Sequence, residues 1–207
     1  MALVKLNNRG VRSVSTFGSI SSLGTYKFIK KLTASSSATL SFVDGSSDVV
    51  LDNTYKVYLF TFNNIHPATD DALLTFNLSS DGGSNYNATK TTTFFRASHD
   101  EDDSSTSFGY VDSFDLAQST GYQNLMPAIG ADGNDSSGSG YLYLYNPSST
   151  TYVKHFTGRI QEMQEDNKTL EAHVAGYANT TSAVDAVQFK MSSGNMDAGD
   201  ICLYGIN

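Results

Sequence analysis

The sequence predicts an all-β protein, an antiparallel β-sandwich of the jelly-roll type. Short segments alternate apolar and polar residues with a period of two, turn-forming residues separate these segments, and no long segment has a convincing helical period. The 207 residues include 17 Gly, 12 Tyr and 12 Phe. Many short strands joined by Gly- and Asn-containing turns are typical of a sandwich or barrel, and the aromatic content argues against a disordered chain.

The clearest strand signals are two alternating segments in the first half of the chain. Tyr58, Phe60 and Phe62 alternate with smaller residues, which predicts a strand over residues 56–63. Polar residues and a proline then interrupt the pattern, and a second alternation predicts a strand over residues 73–79. We expect these two strands to form an antiparallel hairpin with a broad connection.

The rest of the chain gives further short strand signals. Residues 152–163 and 169–177 predict a hairpin; Gln, Glu and Met within 159–170 also favour a helix, but the flanking β-branched residues favour strand. Residues 97–139 predict a long polar connection, which we expect to carry function or a subunit contact. The remaining predicted strands cover residues 26–32, 38–43, 91–96, 140–145, 186–191 and 201–205.

Residues 1–25 predict an extended N-terminal segment, here called the leader, that precedes a single β-domain of residues 26–207. Residues 1–43 carry six positive charges and no acid, whereas residues 44–207 carry seven positive and 21 negative charges. The basic leader could dock on an acidic protein surface, or the three lysines of residues 26–32 could simply protect a strand edge from aggregation. The apolar residues of the leader are expected to pack either on this domain or on a neighbouring subunit. The docking hypothesis assigns contacts to Lys5, Arg9, Arg12, Val11, Val14 and Phe17.

Charge and motif spacing argue against several classes of function. An acidic body does not suit binding to nucleic acid, and no apolar run is long enough to span a bilayer. The sequence has no Gly-x-Ser-x-Gly nucleophile motif, and no pair of carboxylates stands out among its acids. We therefore expect a soluble protein without enzymatic activity and without a cofactor.

Two acidic segments are candidates for calcium. The denser one is His99–Asp103, and the weaker one combines Asp132, Asn134 and Asp135. Neither has the ligand spacing and central glycine of an EF-hand loop, so a solvated loop is the favoured interpretation of both. The histidines are scattered without the spacing of a zinc site, and we expect no bound metal.

Three single residues are given structural roles. His155 and His173 are placed so that they could pair across the predicted hairpin, and such cross-strand neighbours are usually structural. Cys202 alternates with Ile201 and Leu203 in the last apolar segment. Because a free cysteine is most often buried, Cys202 is predicted to be an inert, buried thiol.

Tyr141, Tyr143 and Tyr145 alternate with Leu142 and Leu144, so the three tyrosines are predicted to line one face of a strand. A tyrosine ring is apolar while its hydroxyl can stay in water. Such a row packs on a half-buried sheet, stacks on a sugar, or is buried in a subunit interface. The sequence leaves these three interpretations open.

The opening MALVKLNNRGVRSV, the block YLFTFNNIHPATDDALLTFNLSSDGGSNY and the ending VQFKMSSGNMDAGDICLYGIN resemble a family of small virion structural proteins of marine tailed phages, cyanophages in particular. The resemblance covers essentially the whole chain, and the block and the ending are also similar to β-domains at the tips of phage fibres. It implies a non-enzymatic fibre, tail or head-decoration protein, homotrimeric, made in the host cytoplasm and assembled with other virion proteins through its leader. Two alternatives remain: a fibre-tip module that binds host surface glycan, and a virion-associated glycan hydrolase.

Overall fold

The computed structural model describes residues 25–131, 136–164 and 167–206. These residues form 12 strands, all paired antiparallel, and no helix, so none that could cross a membrane. Hydrogen bonds join the strands into one sheet that curls into a nearly closed barrel. The strands are β1 (Tyr26–Thr33), β2 (Leu40–Val43), β3 (Val57–Pro67), β4 (Ala72–Ser79), β5 (Lys90–Asp100), β6 (Thr106–Tyr110), β7 (Gln123–Ile129), β8 (Gly138–Tyr145), β9 (Lys154–Gln164), β10 (Lys168–Ala178), β11 (Ala186–Met191) and β12 (Met196–Ile206).

The strand order around the barrel is β1-β12-β3-β8-β9-β7-β4-β11-β2, and β10, β5 and β6 continue the sheet from β9. The predicted hairpin of residues 56–63 and 73–79 is therefore wrong, because β3 lies between β12 and β8 whereas β4 lies between β7 and β11. The connection between β3 and β4 does not close a two-strand turn. Instead its Ala68 N–H donates to the carbonyl oxygen of Asn195 at 2.9 Å, and the chain crosses to the other side of the barrel.

Most of the other predicted strands are found, and the hairpin of β9 and β10 is confirmed over its whole length. The strand interpretation of residues 159–164 is confirmed, since they belong to β9. The expectation of one long polar connection is wrong, because β6 and β7 lie within residues 97–139. β6 was missed because it is exposed on both faces and so lacks an apolar alternation. β7 was missed because it contains Pro127, and a proline within a segment argues against a strand.

An aromatic cluster fills the barrel. Phe42, Phe60 and Phe189 meet edge to face, with ring centroids 5.3–6.2 Å apart. Phe76 meets Phe156 in the same way at 5.1 Å, which joins β4 to β9 on the other side of the barrel. Such pairs stabilise a core beyond the apolar area that they bury. Because the strands turn these rings inward, their alternate side chains form the outer face of the sheet.

Candidate functional site

The outer side of β12, β3 and β8 carries a block of uncharged side chains, here called the aromatic face. The cross-strand register places these residues in three rows of three, directly opposite one another. None of the nine residues carries a charge, and only one lacks a hydrophobic side chain. The rows are Ile206, Val57 and Tyr145; Tyr204, Leu59 and Tyr143; and Cys202, Thr61 and Tyr141.

Strand β1 extends the aromatic face with Tyr26 and Phe28, whose relative exposures are 55% and 61%. The ring of Phe28 meets Tyr204 edge to face at 5.7 Å. The hydroxyl groups of Tyr26 and Tyr143 interact across the intervening strands. Leu59 lies beneath these rings and is buried, although it faces away from the barrel core. The rings therefore form a layer on the sheet, and solvent reaches its outer surface.

The predicted row of Tyr141, Tyr143 and Tyr145 is confirmed in its direction. Leu142 and Leu144 point into the core, while the tyrosines point outward. Neighbouring rings of the row lie 5.4 and 6.2 Å apart. Burial, aided by the interaction of its hydroxyl with Tyr26, raises the pKa of Tyr143 above its ordinary value. Its hydroxyl therefore remains a hydrogen-bond donor at neutral pH.

Cys202 belongs to the aromatic face, so its predicted burial in the core is wrong. Ile201 and Leu203 take the inward positions of β12 and are completely buried, whereas Cys202 is half-buried on the outside. The alternation in the sequence was correct, but it did not show which side of the strand faces the core.

The outer face of β4 is different, because the chain covers it with its own loops. Asn77 is fully buried and donates from Nδ2 to the carbonyl oxygens of Tyr86 at 2.6 Å and Thr120 at 3.0 Å. Its Oδ1 accepts hydrogen bonds from Lys90 Nζ and from the Leu78 N–H. Burial lowers the pKa of Lys90 to about 8.

The acidic segment at the end of β5 forms an exposed loop with local ion pairs. His99 Nε2 lies 3.0 Å from Asp103 Oδ1, and Lys168 Nζ lies 3.8 Å from Asp100 Oδ1. Among the described residues, no group of three or more His, Cys, Asp or Glu side chains could hold a metal ion. The second calcium candidate, Asp132, Asn134 and Asp135, lies outside the described residues.

His155 and His173 do not pair with each other, which corrects that prediction. His155 lies opposite Tyr177, and His173 lies opposite Arg159, because the hairpin register places the two histidines four positions apart. His173 instead stacks on Phe95 with ring centroids 4.7 Å apart. Its Nε2 also lies 3.3 Å from Oε1 of Glu171.

Sequence reasoning missed Glu162, a carboxyl group inside the barrel. Glu162 is completely buried, and neither side-chain oxygen has a hydrogen-bond partner among the described residues. Burial raises the pKa of Glu162 well above its ordinary value, and the positive charge of Arg96 opposes this shift. The signal was present in β9, where Lys154, Phe156 and Glu162 occupy alternate positions on the inward face.

The proposed docking residues of the leader, Lys5, Arg9, Arg12, Val11, Val14 and Phe17, lie outside the described residues. Comparison with known proteins found no matching family model, no matching curated protein and no matching solved structure.

Proposed function

We propose that this protein is a non-enzymatic structural component of a tailed-phage virion, in a fibre, tail or head decoration. It assembles as a homotrimer through the aromatic face, and its leader attaches it to other virion proteins. The aromatic face carries this proposal, because its own residues combine exposed rings with an absence of charge. Charged side chains lie only at its border, where Lys31 is opposite Cys202 and Arg159 is opposite Tyr141. Depletion of charge and enrichment in tyrosine and phenylalanine are the marks of the core of a protein interface.

The size of the aromatic face fits this role. Four strands about 4.8 Å apart, with about 3.4 Å per residue along each strand, give a footprint of roughly 350 Å². An exposed apolar patch of several hundred Å² commonly marks an interaction site. A standard interface buries about 800 Å² on each partner, so the surrounding surface must contribute as well. In a cyclic trimer each chain contacts two neighbours, and the faces of three chains meet around one axis.

The edge formed by β1 favours contact through the face over pairing of strand edges. Lys27, Lys30 and Lys31 lie on this edge strand, and a bulge interrupts its register between Phe28 and Lys30. Charge and bulges on an edge strand prevent the addition of a further strand. The neighbouring copy therefore packs on the rings. We also propose that the curled antiparallel sheet is a two-layered sandwich of the jelly-roll type.

Sedimentation velocity tests the proposal with a double variant on the aromatic face. Phe28→Lys combined with Tyr141→Lys introduces two charges at exposed positions, so the fold is retained while the interface is disrupted. We expect the wild type to sediment as a trimer at micromolar concentration and the double variant as a monomer. The matched control is Tyr152→Lys, because Tyr152 is 70% exposed and lies off the aromatic face. A monomeric wild type, or a trimeric double variant, contradicts the role of this face.

A further inference from the structure

A trough lies on the outer side of β9, β10 and β5, next to the aromatic face. Its volume is about 340 Å³. The register places Ala175 between Thr93 and Thr157, so that a methyl group and two short side chains form the floor. The residues that define the trough are Thr91, Thr93, His155, Thr157, Ala175 and Tyr177.

Aromatic rings lie at both ends of this floor along the strands; one pair lines the trough and the other lies just beyond its lining residues. At one end His155 and Tyr177 lie with ring centroids 6.2 Å apart. At the other end the rings of Phe95 and His173 are stacked at 4.7 Å and nearly parallel. Each pair lies two residues along the strand from the row of Ala175, so the two pairs are roughly 13 Å apart. This length admits one six-membered ring together with its substituents, and His155 and Tyr177 offer aromatic surface to it.

The hydroxyl groups of the trough have hydrogen-bonding capacity left over. The Oγ1 of Thr91 accepts from the backbone N–H of Gln118 at 3.2 Å and from its side-chain amide at 2.6 Å. The Oγ1 of Thr93 has a long contact of 3.4 Å with the carbonyl oxygen of Ala175. A threonine hydroxyl provides one donor and two acceptor positions, so both residues can bond a ligand hydroxyl.

The uncharged lining of the trough limits the class of ligand that it can bind. No Lys, Arg, Asp or Glu lines the trough, and the nearest such pair, Arg159 and Glu171, is engaged in its own ion pair. A phosphate, carboxylate or ammonium group would be desolvated there without a compensating charge. A neutral ligand with an apolar ring face and several hydroxyl groups can pack against the aromatic rings and form hydrogen bonds with the threonines.

We propose that the trough binds one neutral pyranose ring of an oligosaccharide. The sugar ring lies over Ala175, its C–H face packs against the rings of His155 and Tyr177, and its hydroxyls bond to Thr91 and Thr93. This inference names the sugar-binding residues of a virion component but does not depend on the trimer, because the trough belongs to a single chain.

Saturation-transfer NMR with the wild-type protein tests the inference. The probes are maltotriose, cellotriose, mannotriose, galactotriose and N,N′,N″-triacetylchitotriose, each at up to 10 mM. We expect transfer to the ring protons of at least one probe. Ala175→Lys fills the floor without removing an aromatic ring, and it should weaken binding of that probe at least tenfold. The matched control is Ser182→Lys in an exposed loop, which should bind like the wild type.

Thr93→Val is the second variant, because it removes a hydroxyl at nearly constant volume. It should weaken binding about fivefold even if Ala175→Lys fails to fold, since one hydrogen bond contributes about 1 kcal/mol. Failure of all five probes to bind the wild type overturns the inference, and so does unchanged binding by both variants. If Ala175→Lys alters the sedimentation coefficient and leaves sugar binding intact, the trough belongs to a subunit contact and the inference is wrong. Sedimentation of the wild type tests the trimer separately.

Discussion

The outer faces of β3 and β4 belong to the same sheet but carry opposite chemistry. On β3 the outward residues are Val57, Leu59 and Thr61, and among the rings of the same face Tyr26, Phe28 and Tyr141 are exposed. On β4 the outward residues Thr75 and Asn77 are polar and buried, and Asn77 bonds to loops of the same chain. The aromatic side of the sheet is thus the one that the chain leaves open.

The difference shows which kind of structure can cover each face. A loop brings backbone N–H and C=O groups that must find partners, so a face covered by loops needs polar side chains. Asn77 fulfils this need, because one amide serves the carbonyl oxygens of Tyr86 and Thr120. Aromatic rings cannot serve such groups, but they pack well against other side chains. The composition of a face therefore indicates whether a loop or the side chains of another subunit will cover it.

The largest expected effect comes from Asn77→Leu, which replaces the buried amide on the covered face of β4 with an apolar side chain. The substitution leaves the carbonyl oxygens of Tyr86 and Thr120 unpaired and removes an acceptor of Lys90 Nζ. We expect the free energy of unfolding to fall by about 3–5 kcal/mol, measured by urea denaturation. A loss below about 1 kcal/mol would mean that the loops do not depend on this amide.

Glu162→Gln tests a buried carboxyl group. Unlike the amide of Asn77, this group has no hydrogen-bond partner among the described residues. Because burial raises the pKa of Glu162, the folded protein binds a proton more tightly than the unfolded chain does. The stability that this proton provides is complete below the unfolded pKa of about 4.3 and is lost as the pH rises. We expect the variant to gain stability over the wild type from pH 5 to pH 8, by at most about 1.4 kcal/mol per pH unit. Parallel stability curves for the two proteins would contradict this assignment.

The smallest effect compares one substitution on the two faces. Thr75 is buried, and its Oγ1 donates to the carbonyl oxygen of Lys190 at 2.9 Å, whereas Thr61 lies in the aromatic face. We expect Thr75→Val to lower the free energy of unfolding by about 1 kcal/mol. Thr61→Val should stay within about 0.5 kcal/mol of the wild type. Equal losses in urea denaturation would show that the two faces do not differ as described.

The sequence predicted those features that depend on neighbours along the chain. Alternation identified most strands and the outward direction of Tyr141, Tyr143 and Tyr145, because a strand turns successive side chains to opposite faces. The pairing of β3 with β12 and β8 could not be predicted from the sequence, since it joins residues far apart along the chain. For the same reason the trough was missed, because it exists only where β5, β10 and β9 lie side by side. The trimer, the virion role and the docking of the leader remain predictions.

The position of β12 has a consequence for the protein as it leaves the ribosome. This strand is made after the other eleven, yet it lies between β1 and β3. Until residues 196–206 emerge, those two strands cannot pair through it, and the side chains of Phe60 and Phe62 lack the cover of Ile201 and Leu203. At about 5–20 residues per second, an incomplete barrel persists for many seconds during synthesis. The barrel therefore cannot close before residues 196–206 have been synthesised, and a ribosome that stalls before residue 196 holds an open sheet with exposed apolar side chains.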